Sequence, residues 1–350
     1  MPRVADVADA VIGGDTHADT HTLEMVTAAG VVIASAAVGN DRGGFAAALE
    51  FIAAHAPGPA VFVGLEGTGS YGAGLRRALA AAGLPVVEVE QPSRKTRRGK
   101  GKSDPIDAHH AALAVLAMDL DRLPAPRADG DREALRILLA GRREMTGTRT
   151  RQANALRALL RTGDDADRDL ARGAWTQAAL TTLTRRRGHA TETREQAVRR
   201  TEAHRLAAAL LHLDAQLKDN HAMLTAIVRD IAGALLDEPG IGPVSAAQAV
   251  TSFSHPGRCR NDRAFAALAG TAPVPASSGK TTRHRLNRGG DRHLNQALHV
   301  IVETRMRTDP RTRDYVARRT AEGKTRAEIR RCLKRYVARQ IYRTLTAAMA

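Results

Sequence analysis

Four carboxylates and a pair of serines are the residues of this 350-residue chain whose types and spacing point to chemistry. Asp15 closes an apolar run in VIGGDTH, and Glu66 closes another in AVFVGLEGTGSYG. A carboxylate at a strand end projects from the sheet edge into a cleft, and the glycines beyond Glu66 let a ligand backbone come close. In KSDPIDAH, Asp104 precedes a proline suited to the first helical position and Asp107 follows three residues on. That spacing sets both acids at a helix start and roughly on one face. Converging acids from three separate elements suit a hard divalent cation, Mg2+ or Mn2+, which takes oxygen ligands and keeps several waters. Two such ions about 3.5–4 Å apart stabilise the attacking and leaving oxygens of an in-line phosphoryl displacement. Each acid also has an ordinary use: Asp104 as an N-cap, Asp107 as a first-turn charge, Asp15 and Glu66 as turn caps.

The serines lie in AGTAPVPASSGKTTRHRLNRGGDRHLN, residues 269–295, on a glycine-flanked loop. A hydroxyl of Ser277 or Ser278 can attack a phosphodiester and hold it as a phosphoserine link if its proton is taken and cations stabilise the phosphorane. Lys280, Arg283, Arg285, Arg288 and Arg292 are the cations at hand. Ser-Ser-Gly is also a common loop tripeptide. A second basic run, Arg94, Lys95, Arg97, Arg98, Lys100 and Lys102, stands just before Asp104 with no acid among its members. Cations beside a carboxylate cluster make sense for a nucleic-acid substrate, since they neutralise the backbone while the acids hold metal.

The elements that must position these groups divide the chain in three. Short β-rich runs at Ala10–Gly14, Thr22–Val26, Val31–Ala36, Ala60–Leu65 and Val86–Val89 alternate with helical stretches at Gly43–Ala54, Gly72–Ala82 and Ile106–Leu116. The order predicts an α/β domain over 8–123 whose mixed sheet begins as a meander and continues with parallel crossovers, as in ribonuclease H. LPAPRADGDR, residues 123–132, reads as a linker. A helical region over 130–230 follows, where Leu206, Leu210, Leu213, Leu217, Leu224 and Ile227 form a stripe interrupted at Asn220 or His221. The stripe suits an antiparallel pair or coiled coil, and equally an ordinary bundle core. In the mainly α domain expected over 234–350, Gly240 and Gly242 flank Ile241 between helical stretches. This is either a helix-hairpin-helix element, whose backbone amides meet a phosphate, or a plain C-cap and turn.

Composition narrows the partners. Fifty-three Lys and Arg against 37 Asp and Glu leave a formal charge of +16, and the pI is about 10.9. From Lys280 to the end there are 19 basic and 6 acidic residues, so the polyanion-binding surplus concentrates there. Aromatics at 3% argue against a base-stacking platform for single strands. Cys259 and Cys332 lack metal-ligand spacing and exclude a disulfide framework. Without an apolar run of 18 residues or a basic, apolar leader, the expected location is the bacterial cytoplasm, on the nucleoid when bound to DNA, with no membrane partner.

Five motifs in order resemble one family over nearly the whole chain: GGDTHADTH, GLEGTGSYG, KSDPIDAHHAALA, PGIGPVSA, and ALAGTAPVPASSGK with HRLNRGGDRHLNQALH. They are similar to those of the DEDD-type transposases of the insertion sequence 110 group, relatives of Piv-type DNA invertases. The resemblance implies a RuvC-like, ribonuclease H-type domain with Asp15, Glu66, Asp104 and Asp107 as the DEDD acids, then a coiled-coil region and a C-terminal serine-bearing domain. It maps the nucleophile to Ser278, beside Gly279, with Ser277 open. It further implies double-stranded DNA at element ends and target, a structured non-coding bridge RNA as guide, and dimers that assemble to a tetramer. A RuvC-like metal-dependent nuclease acting on branched DNA without a serine intermediate is the alternative, and a non-catalytic nucleic-acid binder a third.

Overall fold

The computed structural model describes residues 1–89, 104–127, 129–275, 284–285, 287 and 289–350. They form two compact units, Met1–Arg127 and Ala128–Ala350. Among the described residues no helix is long and apolar enough to cross a membrane.

The first unit is the mixed α/β layer that the alternation predicts. Strands β1 (Ala10–Thr16), β2 (Thr20–Thr27) and β3 (Val32–Gly39) form an antiparallel meander. After helix α1 (Arg42–His55) comes β4 (Val61–Leu65), then α2 (Ala73–Ala81) and β5 (Val86–Glu88), and both strands run parallel to β1. The sheet order is β3-β2-β1-β4-β5, with the central strand β1 buried along its whole length. Its period-2 alternation serves two faces. Ala10 and Ile12 join Leu23, Met25, Val63, Leu75 and Leu79 in one core; Val11 joins Val26 and Val115 in the other.

Helix α3 (Asp104–Leu116) covers the second face with Ala111, Ala112 and Val115, and two glycines let it lie close. A Cβ on Gly13 would stand 1.9 Å from the Ala108 carbonyl oxygen, and one on Gly64 would stand 2.5 Å from Val115. No rotamer change relieves a clash with backbone. Gly13→Ala is therefore expected to lift α3 from the sheet and destabilise the protein by about 3 kcal/mol, the upper end for overpacking, as read by urea unfolding.

Among its described residues the second unit is helical apart from one short antiparallel strand pair. Its elements are α4 (Asp131–Arg161), α5 (Asp165–Arg172), α6 (Gln177–Arg185), α7 (Arg194–Ala232), α8 (Pro243–Phe253), α9 (Asp262–Leu268), β6 (Val274–Pro275), β7 (His284–Arg285), α10 (Arg292–Thr308), α11 (Pro310–Ala321) and α12 (Arg326–Ala348). Helices α4 and α7, of 31 and 39 residues, pack antiparallel: Arg149 pairs with Asp214, and the Asn220 amide donates to the Leu138 carbonyl at 3.0 Å. The leucine stripe of α7 serves two cores. Leu206 and Leu210 pack with Leu156, Leu160, Leu180 and Leu183 near α5 and α6. Leu224 packs with Leu135, Leu139 and the helices that follow. Between them Leu213 and Leu217 are half-buried beside the buried Asn220, which also accepts from Arg142 at 3.3 Å. The polar break in the stripe is thus a hydrogen-bonded junction, with one apolar cluster on either side.

Candidate active site

Asp15 lies on β1 with the parity of Val11 and Gly13, the residues that face α3. Gly14 pairs with Leu65 of β4, and the Glu66 amide donates to the Gly14 carbonyl at 3.2 Å. Asp15 and Glu66 therefore leave adjacent parallel strands at matched positions, about 4.8 Å apart in backbone. Both are buried, at 7% and 4% exposure. Asp107 stands one turn before Ala111 on α3 and is half-buried; Asp104 is the first residue of that helix. The fold thus brings to one end of the sheet three elements that sequence separates by up to 92 positions (107 minus 15).

Local chemistry fixes the two strand-end acids. The His17 Nε2 and Asp15 Oδ2 are 3.1 Å apart, and the Thr16 hydroxyl donates to the Glu66 carbonyl at 2.9 Å. Gly67 turns the chain at φ +63°, a left-handed conformation that suits glycine. Two residues past Glu66, the Thr68 hydroxyl is buried with no hydrogen-bond partner among the described residues. A buried polar group in that state calls for a water or a polar ligand. The donor set of Asp15, Glu66 and Asp107 consists of hard carboxylate oxygens, which fits Mg2+ or Mn2+ better than a softer ion. Among the described residues no three metal-ligating side chains already form a closed site.

One acid of this face went unread in the sequence. Glu24 on β2 pairs in register with Gly13, is 7% exposed, and takes a hydrogen bond from His109 Nδ1 of α3. The Ser35 hydroxyl adds a long bond of 3.4 Å. The signal was there: Glu24 interrupts the TLEMV strand between the core residues Leu23 and Met25, on the opposite parity. Its contact ties α3, two residues past Asp107, to the sheet. Glu24→Ala leaves a partly buried donor without its acceptor and is expected to cost about 2 kcal/mol of unfolding free energy. Glu24→Gln, which keeps an acceptor oxygen, should recover more than half of that loss in the same denaturation assay.

Other expected site residues are distributed as follows. Gly240, at φ +73°, sits against α10, where a Cβ would meet the Ile301 carbonyl oxygen at 3.1 Å; Arg305 Nε donates to Pro239 O at 2.6 Å. The absence of a side chain there lets the turn pack close against α10. Gly242 is exposed, caps α8 before Pro243 at its first position, and has open space where a Cβ would be. Arg285 on β7 and Arg292 at the start of α10 are exposed. Arg94, Lys95, Arg97, Arg98, Lys100, Lys102, Ser277, Ser278, Lys280, Arg283 and Arg288 lie outside the described residues.

Comparison with known proteins gives this architecture its class. Residues 12–163 match a transposase family model of the DEDD type of IS110 elements, and residues 232–317 match a model described as transposase, IS116/IS110/IS902 family. The first match spans all four acids, the second both glycines and both serines. The protein is a DNA transposase. Similar proteins include an insertion element IS900 uncharacterized 42 kDa protein from Mycobacterium paratuberculosis, 31% identical over 65% of this chain and 67% of the relative. Another is an insertion element IS116 uncharacterized 44.8 kDa protein from Streptomyces clavuligerus, 34% identical over 34% of this chain and 30% of its own length. The chain belongs to the IS110 family of insertion-element transposases.

Proposed function

We propose that this transposase exchanges DNA strands through a covalent phosphoserine intermediate, with Asp15, Glu66, Asp104 and Asp107 holding Mg2+ or Mn2+ in a RuvC-like, ribonuclease H-type domain. The supporting observation is the pair of buried carboxylates on adjacent parallel strands, next to the α3 start that carries the other two. A bound divalent cation would supply charge stabilisation for the phosphate under attack. Asp15 and Glu66 present oxygens from a rigid sheet. Asp107 presents one from a helix that Glu24 and His109 pin in place. Ser278 supplies the attacking oxygen, with Ser277 the neighbouring choice. Its Oγ–P bond forms as the P–O bond to the strand breaks, and the Oγ proton ends on the released hydroxyl. No water is consumed, so a hydroxyl from another strand reverses the step and restores the serine.

Arg283, Arg285 and Arg288, with Lys280 and Arg292, neutralise the phosphate near the serine, and the basic run from Arg94 to Lys102 holds backbone near the acids. Gly240 and Gly242 form the hairpin through which α8 meets a phosphate. The domain limits are 8–123, 130–230 for the coiled-coil region, and 234–350 for the serine-bearing domain. A structured non-coding RNA guides the choice of donor and target. Dimers pair into a tetramer that joins one protomer's acids to another's serine, on the nucleoid in the cytoplasm.

Incubation with element-end DNA and Mg2+, followed by denaturing electrophoresis, tests the central step. A protein–DNA adduct is the expected result. Cleaved DNA without an adduct would make the protein a metal-dependent nuclease.

A further inference from the structure

The C-terminal helices enclose a cleft of about 810 Å³ that, among the described residues, shares only Arg285 with the serine chemistry proposed above. Its walls come from α10, α11, α12, residues 270–273 before β6, and β7, and among the described residues seven Lys and Arg side chains line it against one carboxylate, Glu328. That carboxylate is committed elsewhere: Glu328 accepts from the Thr325 amide at 2.9 Å and the Thr325 hydroxyl at 2.8 Å, closing the capping box of α12.

Several of the cations make no close ion pair, although Lys324 and Arg331 lie near enough to Glu328 to help the Thr325 bonds hold its carboxyl below the usual range. Among the described residues Arg285, Lys324, Arg331 and Arg335 form no salt bridge, whereas Arg339, further along α12, pairs with Asp262. Arg331 and Arg335 are one helical turn apart on the same face. Between them in sequence, half-buried Lys334 donates to Asn295 Oδ1 at 2.8 Å. Burial first, and Arg330 next, hold the Lys334 ammonium below the usual lysine range. Like charges gathered in a concave wall repel one another and focus a positive field into the cavity. An anion relieves that repulsion.

The lining also says which anion. Cations spread along a helix suit a chain of phosphates better than a single one. Among the described residues no Phe, Tyr or Trp lines the cleft and His299 is its one aromatic ring, so its lining favours backbone over base contacts. The Asn287 and Asn295 amides, each giving one N–H to a backbone carbonyl of the protein, keep a second for a phosphate oxygen. The β6 and β7 stems, at Val274 and Arg285, bracket the chain segment that carries Ser277 and Ser278. We propose that this cleft seats the phosphodiester backbone of a DNA strand, with Arg331 and Arg335 each neutralising one phosphate. The DNA substrate follows from the family; the link to strand attack rests on the serine reading above.

The test measures binding of the full-length protein to a fluorescein-labelled element-end duplex and to an RNA of the same sequence between 50 and 300 mM salt. Arg331→Gln with Arg335→Gln is expected to make the DNA salt slope shallower by about 1.8, at 0.9 per phosphate, and to weaken binding roughly 30-fold near 0.15 M. A control removes the same charge from α5, Arg168→Gln with Arg172→Gln, exposed residues paired within their own helix. It should change the slope by less than about 0.5. Equal effects from both pairs would show only net charge at work, and an effect confined to RNA would assign the cleft to a guide; either result overturns the proposal. Unchanged DNA binding by the α12 pair, with the adduct still forming, overturns the cleft alone. Loss of the adduct in the wild type strikes the serine reading and leaves the binding result intact. Melting curves of both variants confirm folding, since neither arginine belongs to the apolar core.

Discussion

Asp15→Asn is expected to lower strand exchange by about 10³-fold while DNA binding stays within about twofold. Losing one anionic ligand from a divalent-cation site removes several kcal/mol of transition-state stabilisation, and about 4 kcal/mol corresponds to that factor. Stability should move in an instructive way. Asp15 and Glu66 leave adjacent strands at matched positions, so without metal their like charges oppose one another. Asparagine removes one charge and keeps an oxygen for His17, so the metal-free variant should melt no lower than the wild type. Saturating Mg2+ reverses the ranking. A ligand at 100 times its dissociation constant stabilises the native state by about 2.7 kcal/mol, and only the wild type should gain it. Thermal melts with and without Mg2+, beside a strand-exchange assay, check both halves. Full activity in the variant would remove Asp15 from the chemistry.

The strand ends were legible because alternation and composition act locally. VIGGDTH and AVFVGLEG each announce an apolar strand that ends at an acid, and parallel pairing of β1 with β4 then puts those acids side by side. What local pattern does not carry is register. Glu24 and His109 stand 85 positions apart in sequence and meet only because β2 pairs with β1 so that Glu24 falls opposite Gly13. Nothing local in the sequence singles out Gly13 and Gly64, yet they form the track on which α3 rests. In the helical unit the leucine stripe was visible, but its division between two cores depends on what α4 presents at each level, and Asn220 marks the junction. The basic surplus beyond Lys280 could be counted from the sequence. Its concentration in one concave wall could not, because helix packing decides which cations converge.

Ser278→Ala should abolish the protein–DNA adduct, lowering strand exchange by at least about 10⁴-fold, while duplex binding persists. The asymmetry follows from the chemistry: one hydroxyl contributes little to a backbone-binding surface carrying many cations, but without it no covalent phosphoester can form. Ser277→Ala should retain the adduct within about tenfold. The converse result would move the nucleophile by one residue and leave the mechanism intact, since both serines precede Gly279 in the same loop sequence. Loss of the adduct in neither single variant but in the double variant would mean that the two hydroxyls substitute for each other. An adduct surviving the double variant would exclude serine chemistry here. Combining Ser278→Ala with Asp15→Asn separates the roles further: if acids and serine act on the same phosphate, the double variant should be scarcely slower than Ser278→Ala alone, because groups working as one unit are not additive. Additive losses would place them at different steps.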